Sequence, residues 1–89
     1  MNHQAAKDFE KVDAELNRTY EALLAKLPDA EGKEKLKQSQ RAWLAFRDAE
    51  AALRAIRRAA GQLLPPSATE PMTELTQQRL KQLKARLAE

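Results

Sequence analysis

Apolar residues recur every three or four positions through three long segments of the chain, which is the spacing of amphipathic helices. The segments are separated at Pro28 and between Gly61 and Pro66. The pattern therefore predicts helices over about residues 2–27, 29–60 and 67–88. Nothing resembles a strand, because Val and Ile occur once each. We predict an all-α fold, either a three-helix antiparallel bundle or a bent helical hairpin with a third packed helix.

Each predicted helix offers one apolar face to a shared core. The face of the first helix consists of Phe9, Val12, Leu16, Tyr20, Leu23 and Leu27. The face of the second consists of Ala42, Ala45, Phe46, Ala49, Ala52, Leu53, Ile56 and Ala60. The face of the third consists of Met72, Leu75, Leu80, Leu83 and Leu87. Because the second face is rich in alanine, we expect a neighbouring helix to approach it closely.

The composition predicts one small domain, residues 1–89, with a thin core. Two Phe, one Tyr and one Trp are its aromatic residues, so we expect modest stability, or help from a partner or a second copy. Since cysteine is absent, disulfides and thiol chemistry are excluded. No apolar run approaches the ~18 residues of a membrane span, and the first residues do not form a signal peptide. The chain is expected to be cytosolic or to lack a leader.

Charge is distributed unevenly along the chain, whose formal net charge is +3. Residues 1–31 carry four basic and seven acidic groups, whereas residues 33–60 carry eight basic and three acidic groups. This favours first and second helices that lie side by side and complement each other. A weaker alternative is a basic surface for nucleic acid or anionic lipid at Arg54, Arg57 and Arg58. Because no recognition-helix motif or aromatic platform accompanies these arginines, we predict no specific nucleic-acid role.

Candidate catalytic groups are few, so we predict that the protein is not an enzyme and holds no cofactor or metal. His3 is the single histidine, and Ser39 and Ser67 are the two serines. No metalloprotease, serine-hydrolase or phosphate-loop motif is present. The carboxylates at Asp8, Glu10, Asp13 and Glu15 are spread around the first helix, which indicates a solvated face rather than a metal site.

The most informative stretch lies in the second helix, where Gln40, Trp43, Arg47 and Glu50 follow one another by steps of three, four and three on one face. One interpretation makes this face a partner-binding patch. The other makes Trp43 a core anchor and pairs Arg47 with Asp13, Glu15 or Glu50. We favour the second, because arginine beside tryptophan commonly holds helices together.

The same stretch, QRAWLAFRDAE at 40–50, resembles the Gln-x-x-Trp-(x)-x-x-Arg-Asp-x-(Glu/Asp)-Cys signature of the lysozyme-inhibitor LprI-like domains. Residues 13–20 resemble that family's Ala-Asp-x-x-Leu-Asn-x-x-Tyr segment, and residues 75–79 resemble its closing Leu-Thr-x-x-Arg. The resemblance spans nearly the whole chain. It implies a scaffold motif made of Leu16, Asn17, Tyr20, Gln40, Trp43, Arg47, Asp48, Glu50, Leu75 and Arg79.

Members of this family are small, helical, secreted or lipid-anchored bacterial envelope proteins with disulfides, and one branch inhibits lysozyme. Here the family's cysteine positions fall on Ala51, Pro71 and about Gln4. The resemblance implies a periplasmic or secreted protein-binding domain with lysozyme as its candidate partner. We expect contacts from the acidic first helix and the 61–70 loop, and the candidate partner-binding residues are Asp8, Asp13, Glu15, Arg54, Arg57 and Arg58. The alternative is a structural or self-associating helical module of unknown partner, for which a homodimer and a cytosolic location are both open.

Overall fold

The computed structural model describes residues 3–60 and 68–89, with side chains from Ala6 onwards. The helices are α1, His3–Lys26, α2, Ala30–Arg58, and α3, Thr69–Leu87. The described residues contain no strand. Helix α3 packs against both other helices, which confirms the predicted bundle. Because Lys33 meets Leu24 whereas Arg47 meets Asp13, α2 runs antiparallel to α1.

The turn between α1 and α2 is held by side chains that satisfy both helix ends. Asp29 is the N-cap of α2, and its Oδ1 accepts the N–H of Gly32. Lys33 Nζ donates to the carbonyl of Leu24 at 2.7 Å and to that of Leu27 at 2.8 Å. These carbonyls lie in the last turn of α1 and directly after it, where no intrahelical donor remains for them. The short connection therefore fixes the two helices as an antiparallel hairpin.

The core is a narrow layer of leucines from all three helices. Leu16 and Leu83 are fully buried, with no exposed surface. The remaining buried members are Val12, Leu23, Leu36 and Leu80, and partly buried Phe9, Tyr20, Leu24, Leu27, Trp43 and Leu87 pack against them. The apolar faces predicted for the first and third helices therefore point into the core. Its stability comes mainly from removing these side chains from water.

The apolar face predicted for the second helix is wrong: it points to solvent. Phe46, Leu53 and Ile56 are 52%, 49% and 62% exposed, and the alanines from Ala42 to Ala52 on this face are exposed too. The buried residues of α2 are instead Leu36, Gln40, Arg47, Ala51 and Ala55. The face that packs buries Leu36, and its polar side chains Gln40 and Arg47 find partners on α3 and α1.

The connection between α2 and α3 lies largely outside the described residues. Of the predicted 61–70 loop, residues 61–67 lie outside the described residues. Ala68 is the N-cap of α3 and makes no side-chain capping bond.

Within 3–60 and 68–89 no helix is long and apolar enough to cross a membrane. Two positions at which the family resemblance places cysteines, Ala51 and Pro71, are both buried.

Candidate functional site

A buried arginine on α3 organises the polar centre of the bundle. Arg79 is 6% exposed and donates from Nε to Gln40 Oε1 at 3.0 Å. Its Nη2 donates to Ser39 Oγ at 3.1 Å and its Nη1 to Gln82 Oε1 at 3.3 Å. Burial, and to a smaller extent the charge of nearby Arg86, lowers the pKa of Arg79 below its ordinary value. These three acceptors are neutral, so the site holds a cation through oriented dipoles.

Trp43 lies between the two arginines of this centre. The Cζ of Arg47 is 5.4 Å from the Trp43 ring centroid, and that of Arg79 is 5.8 Å from it. Arg47 Cζ also lies 5.5 Å from the Phe9 centroid. Cation–π contacts of this geometry are attractive and strengthen as water is excluded. One indole therefore links α2 to α3, and Arg47 extends the contact to α1.

Arg47 joins α2 to α1 through an ion pair. It is 9% exposed, and its Nη1 donates to Asp13 Oδ1 at 3.5 Å. Its Nε donates to Asp48 Oδ1 at 3.1 Å. Of the three carboxylates predicted as its partners, Asp13 is the one that pairs. Glu15 pairs with Lys84 and Glu50 with Arg54.

The other predicted scaffold residues divide between core and surface. Leu16 and Leu75 are buried, and Tyr20 packs partly buried against the core. Asn17 is exposed. Asp48 is exposed as well and touches the buried centre through Arg47. The motif is thus mainly internal, but part of it faces solvent.

Most of the predicted partner-binding residues are engaged in contacts within the chain. Arg58 donates to Glu74 Oε1 at 2.8 Å, which ties α2 to α3. Arg54 donates to Glu50 Oε2 at 3.0 Å, and Asp8, although exposed, is already engaged in a contact of its own. Arg57 is exposed and has no ion pair within 3–60 and 68–89. Most of these charges therefore serve contacts within the chain.

Glu15 illustrates this internal use of charge. Lys84 donates a hydrogen bond to Glu15 Oε2, which joins α1 to α3. This hydrogen bond and the positive charge of Lys84 lower the pKa of Glu15 below its ordinary value. The carboxylate is therefore held ionised by a neighbour on another helix.

An open groove runs between α1 and α2, where two of the family-like segments meet. It has a volume of about 340 Å³, and its lining residues are Asn17, Tyr20, Lys37, Gln40, Arg41 and Leu44. We call it the α1/α2 groove. Lys37 and Arg41 are exposed and make no ion pair with any described residue. The groove thus combines two amides, a phenol and two cations, which suits hydrogen bonding to a polar or acidic partner group.

Several residues of the centre and the groove were missed from sequence. Ser39 and Gln82 are acceptors for Arg79, and nothing in their spacing indicated it. Lys37 and Arg41 were not singled out from sequence, because the groove that they line depends on how α1 and α2 are placed in the fold. In the described ranges no group of three His, Asp or Glu residues could hold a metal ion.

Comparison with known proteins places this sequence in a family. The family model described as lysozyme inhibitor LprI matches residues 1–83. An uncharacterized protein of Rhizobium meliloti (strain 1021) is 30% identical over 96 residues, which cover 94% of this chain and 69% of that relative. No solved structure matches. Because the match spans all three helices and the predicted scaffold motif up to Arg79, the chain belongs to the lysozyme inhibitor LprI family.

Proposed function

We propose that this chain is a non-catalytic protein-binding domain of the bacterial envelope and that its partner is a lysozyme-type muramidase. The observation that carries the proposal is the α1/α2 groove, where two of the family-like segments meet at an open surface. The centre around Arg79 and Trp43 supports it by fixing α2 against α3. A rigid scaffold lowers the entropy cost of binding because the contact surface is preorganised.

The charges around the α1/α2 groove suit both the acidic catalytic cleft of a lysozyme and the basic surface around it. A lysozyme cleft contains two catalytic carboxylates, for which Lys37 and Arg41 offer cations. Glu10 and Glu21 are exposed on the same side of α1 as Asn17, because their positions differ from it by seven and four residues. These carboxylates would meet the basic body of a common-type lysozyme. The groove thus presents positive charge from α2 and negative charge from α1.

The proposal is tested by following the clearing of bacterial cell walls by a common-type lysozyme at increasing concentrations of this protein. We expect saturable inhibition near stoichiometric amounts. Charge reversal in the groove, Lys37→Glu with Arg41→Glu, is expected to weaken inhibition by roughly tenfold or more, since buried charge pairs are costly to mismatch. Undiminished clearing at large excess of the wild-type protein would reject lysozyme as the partner.

A matched control separates the groove from overall charge. Lys11→Glu with Lys81→Glu changes two exposed cations on α1 and α3, so both variants have the same net charge. General attraction to a basic lysozyme rises equally in both. Weaker inhibition confined to the groove variant would support contact at Lys37 and Arg41, and equal inhibition by both variants would exclude it.

A further inference from the structure

Gln40 belongs both to the buried centre around Arg79 and to the α1/α2 groove. It is 6% exposed, and its Oε1 accepts the hydrogen bond from Arg79 Nε at 3.0 Å. It also lines the groove, together with Asn17 and Tyr20 of α1. Gln40 therefore connects the interior of the bundle with the surface that the proposed function uses.

The hydrogen bond from Arg79 fixes which way the Gln40 carboxamide faces. A guanidinium carries donors only, so the part of the amide that meets it must be the carbonyl oxygen. Turning the amide over would place its NH₂ group against the Nε–H of Arg79 and leave two donors facing each other in a buried site, which is costly. The amide nitrogen Nε2 is therefore held on the side of the carboxamide that does not face Arg79.

Nε2 of Gln40 is a donor that the fold leaves unused. It donates to no residue of the ranges 3–60 and 68–89. Every fully buried polar side-chain atom in these ranges does have a hydrogen-bond partner. Nε2 must therefore reach solvent, and the surface that Gln40 lines is the α1/α2 groove. A residue that is more than nine-tenths buried thus presents one fixed NH₂ group to an open groove.

The other polar residues of the groove add further donors. Lys37 and Arg41 lie one turn apart on α2, and Tyr20 contributes a phenol. No Asp or Glu is among the described residues that line the groove. The rim has mixed charge, because exposed Glu34 lies one turn before Lys37 and exposed Glu21 follows Tyr20. Recognition here therefore depends on directed donors rather than on net charge, and a carboxylate, which accepts several hydrogen bonds and donates none, fits these donors.

We propose that Gln40 binds a carboxylate of the partner in the α1/α2 groove, with Nε2 as the donor and Arg79 as the positioning residue behind it. The inference rests on the proposed function, since it assigns one contact that the partner makes in that groove. An amide already held in its binding orientation loses little rotamer freedom when the partner arrives, which favours the complex. A hydrogen bond from an amide to a carboxylate is also stronger than one to a neutral acceptor.

Two NMR measurements on the wild-type protein test the donor without lysozyme. A scalar coupling across the hydrogen bond between Arg79 Nε and the Gln40 carboxamide carbon should be observed, and its absence would overturn the fixed orientation. Titration with sodium acetate, at an ionic strength kept constant with sodium chloride, should shift the Gln40 NH₂ resonances saturably. The NH₂ resonances of exposed Gln38, which does not line the groove, should stay in place. No shift at Gln40, or an equal shift at Gln38, would overturn the carboxylate site.

The variant Gln40→Glu tests the same donor in the complex. Its carboxylate can still accept from Arg79, so its melting temperature should be no lower than that of the wild type, and a much lower value would overturn the arrangement. In the groove an acceptor replaces Nε2, so calorimetric titration with a common-type lysozyme should show binding weakened by roughly tenfold or more. The matched control Gln38→Glu makes the same charge change at an exposed position outside the groove and should bind like the wild type.

The outcomes separate the role of Gln40 from the choice of partner. Binding of lysozyme that is equally strong in the wild type and in Gln40→Glu would overturn the inference and leave the proposed function standing. No binding of lysozyme by the wild type would reject lysozyme as the partner. In that case the acetate titration and the coupling to Arg79 still decide whether Gln40 forms a carboxylate site, because neither measurement involves lysozyme.

Discussion

Arg79 is a buried polar residue that joins α3 to α2. It contacts Gln40 and Ser39 on α2 and lies over the Trp43 ring. Its burial is costly, as the lowered pKa indicates. Oriented acceptors offset this cost. Removing either the guanidinium of Arg79 or its acceptors alone therefore leaves polar atoms unsatisfied.

A double-mutant cycle tests this coupling. Arg79→Met should lower the free energy of unfolding by about 2–4 kcal/mol, because Gln40 and Ser39 lose their donor. Adding Gln40→Leu should recover part of that loss, since an apolar pair no longer needs hydrogen bonds. Urea denaturation measures both values. Strictly additive effects of the two substitutions would show that Arg79 and Gln40 are not coupled.

The ion pair between Glu15 and Lys84 predicts a specific acid response. A lowered folded-state pKa means that Glu15 contributes stability at pH values above its unfolded pKa. This contribution is lost as the pH falls through the folded-state pKa. NMR titration of the side-chain carboxyl carbon should give a pKa below the ordinary value, and Lys84→Gln should raise it. A Glu15 pKa that is the same with and without Lys84 would exclude the pair.

At the scale of the helix, periodicity predicted α1 and α3 well because their buried faces are leucine-rich. Periodicity gave the wrong buried face for α2, because apolar spacing alone favoured the alanine-rich side that points to solvent. The face that packs contains Gln40 and Arg47, whose burial is stabilised by residues from the other helices. Sequence could indicate the stripe from Gln40 to Glu50 as structural. It could not show the α1/α2 groove, which depends on how two helices are placed.

Truncating a leucine on each side of the bundle tests whether the apolar face of α2 is exposed, as in the structure, or buried, as the sequence pattern predicted. Leu53→Ala should change the free energy of unfolding by less than about 1 kcal/mol, because half of this side chain is already in water. Leu83→Ala, at a fully buried position, should cost about 2–5 kcal/mol. Chemical denaturation of the two variants provides the comparison. A loss of unfolding free energy at position 53 as large as that at position 83 would show that Leu53 is packed in the core.

At the scale of the whole molecule, the bundle is long and thin, with extents of 52 × 22 × 16 Å. Such a shape gives a small core but a large surface for an 89-residue chain. Arginine stacking, interhelical ion pairs and the capped turn compensate for the few large apolar side chains. The α1/α2 groove is a polar surface, whereas the side of α2 that carries Phe46, Leu53 and Ile56 is apolar and exposed.

The most direct test of the central claim is a calorimetric titration of this protein with a purified common-type lysozyme. It reports association itself, without any effect of the protein on the cell-wall substrate. We predict saturable one-to-one binding that the groove variant, Lys37→Glu with Arg41→Glu, weakens and the control, Lys11→Glu with Lys81→Glu, retains. No binding by the wild-type protein, or equal binding by the wild type and the groove variant, would rule out lysozyme binding through the α1/α2 groove.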